Sequence, residues 1–491
     1  MGFFDFFKRD GKRSPGMSWL RRRSYQGADS GRLESSWSRS PTSADAEVYK
    51  GVRALRARSR EERRNNPVIT RYMALLGSNV VGPRGIVMQS QGKSTKTKPD
   101  IEGNDAIEKW WREWGKTCDV TRRLSWVQMQ TQIIQGMAED GEVFVEKVPG
   151  LDGLKLLLID PELISIDHHA ELNGGGYIRM GIEYTTDGAP SAYHVRKKQA
   201  ANSVISDGYS FGQGDYRRVP ADQMLHLFVP DRVGQSRGVP WTASVLWRLK
   251  MHAGYTDAAV TAARVGAAKM GFFTAADGGA YTGSDTSADG ATLIDAAEPG
   301  AFEMLPEGWD FKSFDPDYPH AQFASFDKSM HRSHASGLNV AYHALASDLE
   351  GVSFSSIRAG VLEDREAWKG KQEMLIEKFC QPVFESALEI GLALGRVLNG
   401  TVRLPSSAFE KFKTPLWQGR RWAWVDPLKD MTTAKMSYEM GATSLSAIIR
   451  DLGRDPEDVW RERQRENELM KQYGVTPNET FDAIGNMKDE E

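Results

Sequence analysis

The chain has 491 residues, 40% hydrophobic and 26% charged, the balance of a soluble globular protein too long for one ordinary core. A formal net charge of −3 and an isoelectric point near 6.4 exclude a protein that grips nucleic acid by bulk positive charge. Cys118 and Cys380 lack metal or redox spacing and read as reduced thiols of a cytoplasmic chain, and no apolar run is long enough to span a membrane.

Residues 1–44 are rich in Ser, Gly and Arg and carry no periodicity, which predicts a flexible basic arm. Its tip, Met1 to Phe7, is an amphipathic anchor or a sticky end; it is not a secretory signal, because Asp5 interrupts it and charges follow. Residues 1–66 hold sixteen Lys and Arg against eight Asp and Glu, an excess that suits nucleic acid, an acidic partner or plain solvent. Ala44 to Arg64 reads as a charged helix stopped by Asn65-Asn66-Pro67, and Val68 to Asn79 as a second helix. A strand is expected near Ile86 to Gln89, then a helix bearing Trp110, Trp111 and Trp114, then one capped by Ser125. From Glu142 the texture turns to strand: Glu142 to Val148, Leu154 to Ile159, Gly181 to Thr185, Ala192 to Arg196 and Met224 to Val229. Asp187-Gly188 supplies a hairpin turn. This half reads as an α+β domain with antiparallel pairing.

Pro240 opens a predicted helix of about thirty residues to Met270, roughly 45 Å long. Small residues crowd it, Ala259, Ala262, Ala263 and Gly266 among them, as in helices whose axes approach closely. Residues 275–292 have loop composition, and Phe302 to Leu305 pairs in expectation with Trp309 to Phe314 across Pro306-Glu-Gly308. A helix carrying Phe323, Phe326, Met330, Leu338 and Tyr342 then runs to a polar break at 346–356, which holds Asp348 and Glu350. Ser353, Ser355 or Ser356 caps the long helix that follows, striped by Val361, Trp368, Leu375, Phe379, Val383, Ala387, Ile390, Leu394 and Val397. Pro382 should bend that helix. After the aromatic cluster Trp417, Trp422 and Trp424 come helices at Met431 to Met440, Leu445 to Leu452 and Pro456 to Tyr473. From Asp430 onward eight Lys and Arg face fourteen Asp and Glu.

Little in the chain nominates chemistry. Gly92-Lys93-Ser94-Thr95 lacks the first glycine of a phosphate loop, since that position is Val87. His331 and His334 lie three apart on one helix, with His343 beyond and His168-His169 in a loop. No carboxylate or cysteine was found to complete a metal set at ligand spacing, and no hydrolase motif is present. No catalytic residue, cofactor or metal is expected.

Several strings, in order, resemble the lambda-type family of tailed-bacteriophage portal proteins. They are Arg64-Asn-Asn-Pro67 with Asn79-Val-Val-Gly82, Trp110 and Trp114, Asp140-Gly-Glu-Val143 and His226-Leu-Phe-Val-Pro-Asp-Arg232. Gly234-Gln-Ser-Arg-Gly238, Ser355-Ser-Ile-Arg358 and Val425-Asp-Pro427 continue the series, over about residues 45–460. In the break this chain has Ser353-Phe354 where the family more often shows Asn-Tyr, and Glu350 where a small polar residue is commoner. The resemblance implies a mainly helical α+β portal-protein fold: a wing at 45–239 and 357–429, stem helices at 240–271 and 320–345, and a small β clip at 272–319. A tunnel loop at 346–356 and a helical crown with an acidic tail at 430–491 complete it.

It further implies a dodecameric homo-oligomer at one capsid vertex of the virion, assembled in the host cytoplasm, through which double-stranded DNA is packaged and ejected. Terminase large subunit, head-completion or adaptor proteins, and capsid and scaffold proteins are the implied partners, and no membrane is. On this resemblance Asp348, Glu350, Ser353, Phe354, Ser355 and Ser356 face the DNA channel, Ala259, Ala262, Ala263 and Gly266 pack the stem, and Phe302, Trp309 and Phe311 belong to the docking clip. The rival readings are another head-tail adaptor or minor head protein and, further off, an enzyme acting on DNA.

Overall fold

The computed structural model describes residues 41–95, 98–197, 216–267, 271–275, 309–313, 322–351, 353–422 and 426–474. Helix α1, Ala44–Asn65, starts at Ser43, whose hydroxyl accepts from the Ala46 N–H. Asn66 ends α1 and caps α2, Pro67–Leu76: its side chain accepts from Val68 N–H, and Pro67 occupies the first turn, where its missing N–H costs nothing. The expected continuation to Asn79 widens instead into a π turn, Gly77–Val81. Gln372 donates its amide to the Asn79 and Val80 carbonyls of that turn, at 3.2 and 3.1 Å.

Strand β1, Val87–Gln89, precedes α3, Ile101–Lys116, and α4, Trp126–Asp140. Ser125 and Gln128 close a reciprocal capping box at the start of α4. β2 (Glu142–Gly150) and β3 (Gly153–Ile159) form a hairpin. β4 (Ala170–Glu171), β5 (Tyr177–Arg179), β6 (Ile182–Tyr184), β7 (Pro190–Arg196) and β8 (Tyr216–Pro220) make a five-stranded antiparallel meander. β9 (Met224–Phe228) returns to β2, giving a three-stranded sheet of order β3-β2-β9. The Asp187-Gly188 turn stands as the sequence predicts: Thr185 N–H bonds the Ala189 carbonyl, and Gly188 takes φ 81°, a region L-residues avoid.

The next helix, α5, is Leu246–Ala267, six residues later than Pro240. Residues 241–245 turn instead, with Ala243 N–H to the Pro240 carbonyl and Val245 N–H to that of Thr242. The twenty-two described residues of α5 span about 33 Å, and the expected end at Met270 lies outside the described residues. β10 (Gly271–Ala275) pairs antiparallel with β11 (Trp309–Ser313); the expected partner of β11, Phe302 to Leu305, lies outside the described residues. The second long helix does not run unbroken to 345. α6, Phe323–Leu338, ends where Asn339 enters the left-handed region at φ 53°, and α7, Tyr342–Ala346, follows.

After the break, α8 (Phe354–Leu375) continues through a π turn, Ile376–Cys380, into α9 (Gln381–Ala393). Pro382 lies in the first turn of α9, so the widened turn just before it absorbs the missing N–H that was expected to bend a single helix. β12 (Leu398–Asn399) and β13 (Val402–Arg403) form a small ribbon, followed by α10 (Phe409–Phe412). β14 (Leu416–Gln418) then closes antiparallel on β1. The chain continues as α11 (Pro427–Glu439), α12 (Leu445–Asp451) and α13 (Pro456–Tyr473).

One large core joins α2, α3, α4, the inner face of β2 and β3, and α8–α9. Trp111 and Trp114 stack with centroids 4.4 Å apart, and Trp126 stacks on Phe379 at 4.8 Å. Trp114 donates its indole N–H to the Leu154 carbonyl at 2.8 Å. A second core, around Phe144, Ile159, Ile182, Tyr193 and Val219, lies between the two sheets. By contrast α11 buries none of its residues, α12 only Ile449 and α13 only Pro456. The described protein is mainly helical, with small antiparallel sheets.

Candidate functional site

The polar break between α7 and α8 is shaped by two left-handed residues, Ser347 at φ 55° and Gly351 at φ 68°. Helix α8 grows from Ser353, whose carbonyl accepts from Ile357 N–H; Phe354, Ser355 and Ser356 form its first turn. Asp348 is held on three sides. Tyr342 Oη donates to it at 2.6 Å, the Glu350 N–H at 2.8 Å, and Lys328 Nζ of α6 lies at 2.9 Å. The Tyr342 hydroxyl, the Glu350 N–H and Lys328 hold its carboxyl well below the usual carboxylate range. Desolvation, then the hydrogen bond to Asp348, pushes the Tyr342 phenol up to about 12. Lys328 and Arg332 also sit over the Tyr342 ring, 5.9 and 5.5 Å from its centroid. Glu350 points away: its side chain is 89% exposed and 3.9 Å from Lys328. The two carboxylates picked out in the sequence therefore differ. Asp348 ties the loop to α6, and Glu350 alone projects. Lys328, which sequence reading missed, leaves the trio with one net negative charge.

Of the small residues of α5, Ala259 is buried, Ala262 and Ala263 are half-buried, and the backbone of Gly266 is helical. A Cβ added at Gly254 would meet nothing within 4 Å. Tyr255 stacks on Phe323 at 5.9 Å and meets Phe326 edge-on at 5.0 Å, which joins α5 to α6. Elsewhere α5 exposes large apolar side chains: Trp247 at 73%, with Met251 and Val260 above half. Of the three residues expected in a docking clip, Trp309 stands opposite Ala275 and Phe311 opposite Phe273 in the ladder, while Phe302 lies outside the described residues.

Three of the strings picked out in the sequence meet at Glu142. Glu142, wholly buried, binds the guanidinium groups of Arg56 and Arg237, His226 Nε2 at 2.8 Å and the Gly238 N–H at 2.9 Å. Burial works to raise its carboxyl, but Arg237 and Arg56 outweigh it and hold Glu142 well below its ordinary value. Arg237 also donates to the carbonyls of Met180, Ile164 and Pro161, so every face of that buried cation is engaged. Here the backbones of Gly141 and Gly238 touch: a Cβ on Gly238 would lie 2.1 Å from the Gly141 carbonyl oxygen. Asn79 accepts from the Trp422 indole at 3.0 Å, and Arg358 pairs with Asp430 at 3.1 Å and Asp426 at 3.8 Å.

The histidines of the two long helices also meet. His252 Nε2 of α5 lies 2.9 Å from Asp327 Oδ1 of α6, and His331 Nε2 lies 3.6 Å from Asp327 Oδ2. His334, fully buried, places Nε2 3.3 Å from His252 Nδ1. Asp327 stands four residues before His331, one helical turn, and that spacing was the signal the sequence analysis passed over. Among the described residues no helix is long and apolar enough to cross a membrane.

Comparison with known proteins agrees with the resemblance. The chain is 33% identical over 466 residues to the "Probable portal protein" of Halomonas phage phiHAP-1, covering 93% of this chain and 88% of that protein. It is 21% identical over 496 residues to the "Portal protein" of Escherichia phage N15, covering 90% of this chain and 89% of that one. To "Portal protein B" of Escherichia phage lambda it is 22% identical over 419 residues, covering 76% and 74%. Among solved structures it is similar to a chain of the neck of an empty GTA particle computed with C6 symmetry. That match has a TM-score of 0.43 and 14% identity, and covers 83% of this chain and 95% of that one. Residues 30–372 match the family described as phage portal protein, lambda family, and the chain belongs to that family.

Proposed function

We propose that twelve copies of this chain form a ring at one vertex of a phage capsid and that double-stranded DNA enters and leaves through its bore. Family membership across residues 30–372 carries this reading. The exposed apolar side chains of α5 and α11 support the assembly. Trp247, Met251 and Val260 on one helix and Leu428, Met431 and Met436 on the other stand exposed, large apolar side chains that a neighbouring copy would cover. A head-to-tail contact repeated around an axis covers such faces and closes on itself.

On this reading α1 to β9 with α8–α9 form the wing, α5 and α6 the stem, β10–β11 the root of the clip, and α11–α13 the crown. The clip, with Phe302, Trp309 and Phe311, receives the terminase motor and later the head-completion proteins. The loop at 346–356 lies against the DNA. A bore as long as α5 faces about 20 phosphate charges, at one per ~1.7 Å. A ring lined with cations would hold them fast, whereas a loop whose neighbouring lysine on α6 is already paired with Asp348 and whose exposed charge is Glu350 lets the duplex slide. No catalytic step is assigned to the chain.

Electron microscopy of the purified full-length protein tests the assembly: rings with an axial opening are expected, and monomers or open filaments would overturn it. For the loop, Glu350→Lys is expected to slow packaging in an in vitro assay. Packaging at parental speed and extent would refute a sliding role for that carboxylate.

A further inference from the structure

We propose that His252, Asp327 and His331 form a site for one divalent cation of the zinc class, which braces α5 against α6. The three residues come from both helices, and one ligand atom from each lies within 4.8 Å of the others. Two imidazole nitrogens and a carboxylate form a borderline donor set that suits zinc, cobalt or nickel better than magnesium or calcium, which prefer oxygen alone. Bonds of about 2.1 Å in a tetrahedron put donors roughly 3.4 Å apart. Each imidazole already lies near that spacing from one Asp327 oxygen, His252 at 2.9 Å from Oδ1 and His331 at 3.6 Å from Oδ2. A set of ligand atoms that lie within 4.8 Å of one another is looser than a closed tetrahedron, so binding draws in the ring of His331, which is only partly buried.

His334 supplies the outer support usual for a metal-bound imidazole. Its Nε2 faces His252 Nδ1 at 3.3 Å: without metal, His252 Nε2–H donates to Asp327, and with metal bound, His252 Nδ1–H donates to His334 and frees the Nε2 lone pair for the ion. Hydrogen bonding within the cluster is also incomplete: Nδ1 of His331 and Nδ1 of the fully buried His334 have no partner. Three protein ligands leave a fourth position for water. The site lies within one chain, so it stands or falls separately from the ring.

The test uses full-length protein stripped with a chelator, titrated with Co²⁺ and followed by visible absorption, with Zn²⁺ competition and calorimetry giving stoichiometry. One equivalent per chain is expected, with the strong absorption of tetrahedral cobalt, displaced by zinc. Asp327→Asn and His331→Gln are expected to weaken binding at least tenfold, and His334→Gln by about tenfold through loss of support. His343→Gln, outside the cluster, leaves it unchanged. Circular dichroism confirms that each variant is folded, and protection of α5 amides from exchange rises with metal in the parent alone. No saturable binding, or binding equal in parent and ligand variants, would overturn the proposal and leave the cluster as a proton-bridged network.

Discussion

Replacing Glu142 by Gln removes one charge from the buried cluster at the start of β2 and almost no volume. Two guanidinium groups, on Arg56 at 2% exposure and Arg237 at none, then lose the carboxylate that compensates them. Breaking a buried pair by deleting one partner costs about 3–5 kcal/mol, because the remaining charge stays buried unpaired. Arg56 keeps Glu162 at 3.4 Å while Arg237 keeps only neutral carbonyl partners, so the middle of that range applies, against a total domain stability of about 5–15 kcal/mol. The pH sign is definite. The folded carboxyl is held below its ordinary value, so its contribution is complete above the usual carboxylate range and disappears only as pH falls through the folded value. The gap between parent and variant should therefore stay constant from neutral pH down to about 5. Urea titration followed by tryptophan fluorescence reads it, since Trp111, Trp114 and Trp126 sit in the neighbouring core. Arg461→Gln, which breaks an exposed pair with Asp105, is the control and should cost under ~1 kcal/mol. If Glu142→Gln matched that control, the buried cluster would not be what holds these strands and loops together.

Burial pushes the Glu108 carboxyl up to about 7, so its protonated form is favoured in the fold, and the resulting stability is present in acid and lost as pH rises through 7. Glu108→Gln keeps an acceptor for the Ser90 N–H and should raise stability by about 1–3 kcal/mol at pH 8 and by almost nothing at pH 4; melting at the two pH values decides it. Gly238→Ala drives a methyl into the Gly141 carbonyl and should cost more than about 3 kcal/mol, or leave the protein insoluble, in the same urea assay. Lys328→Met unties Asp348 from α6, so amides of residues 347–351 should exchange faster while the α4 core keeps its protection; unchanged exchange would contradict the tether.

What could be read before folding was what is local. Ser125 capping α4, the boundary at Pro67, the Asp187-Gly188 turn and the bounds of α13 each depend on a few adjacent residues, and each is found where expected. Features that depend on distant partners were missed or shifted. Two π turns interrupt helices whose apolar period runs on undisturbed, and one is stabilised by the Gln372 amide reaching from another helix. β11 takes β10 as its partner, and β1 takes β14, which no periodicity reveals. The break at 346–356 was legible as a polar interruption with two acids. That Lys328 and Tyr342 would hold Asp348 required α6 and α7 in place. His252 and Asp327 likewise meet only because two helices pack side by side.

Arg358 stands barely more than one helical turn beyond Ser353, and its guanidinium grips Asp426 and Asp430 at the start of α11. The terminal helices and the loop thus hang from the same end of α8, one through a salt link and the other through the chain itself. A tug on α11 arrives at that shared pivot without crossing the tryptophan-rich interior. A torque felt at one end of the subunit has a short mechanical route to the segment around Glu350.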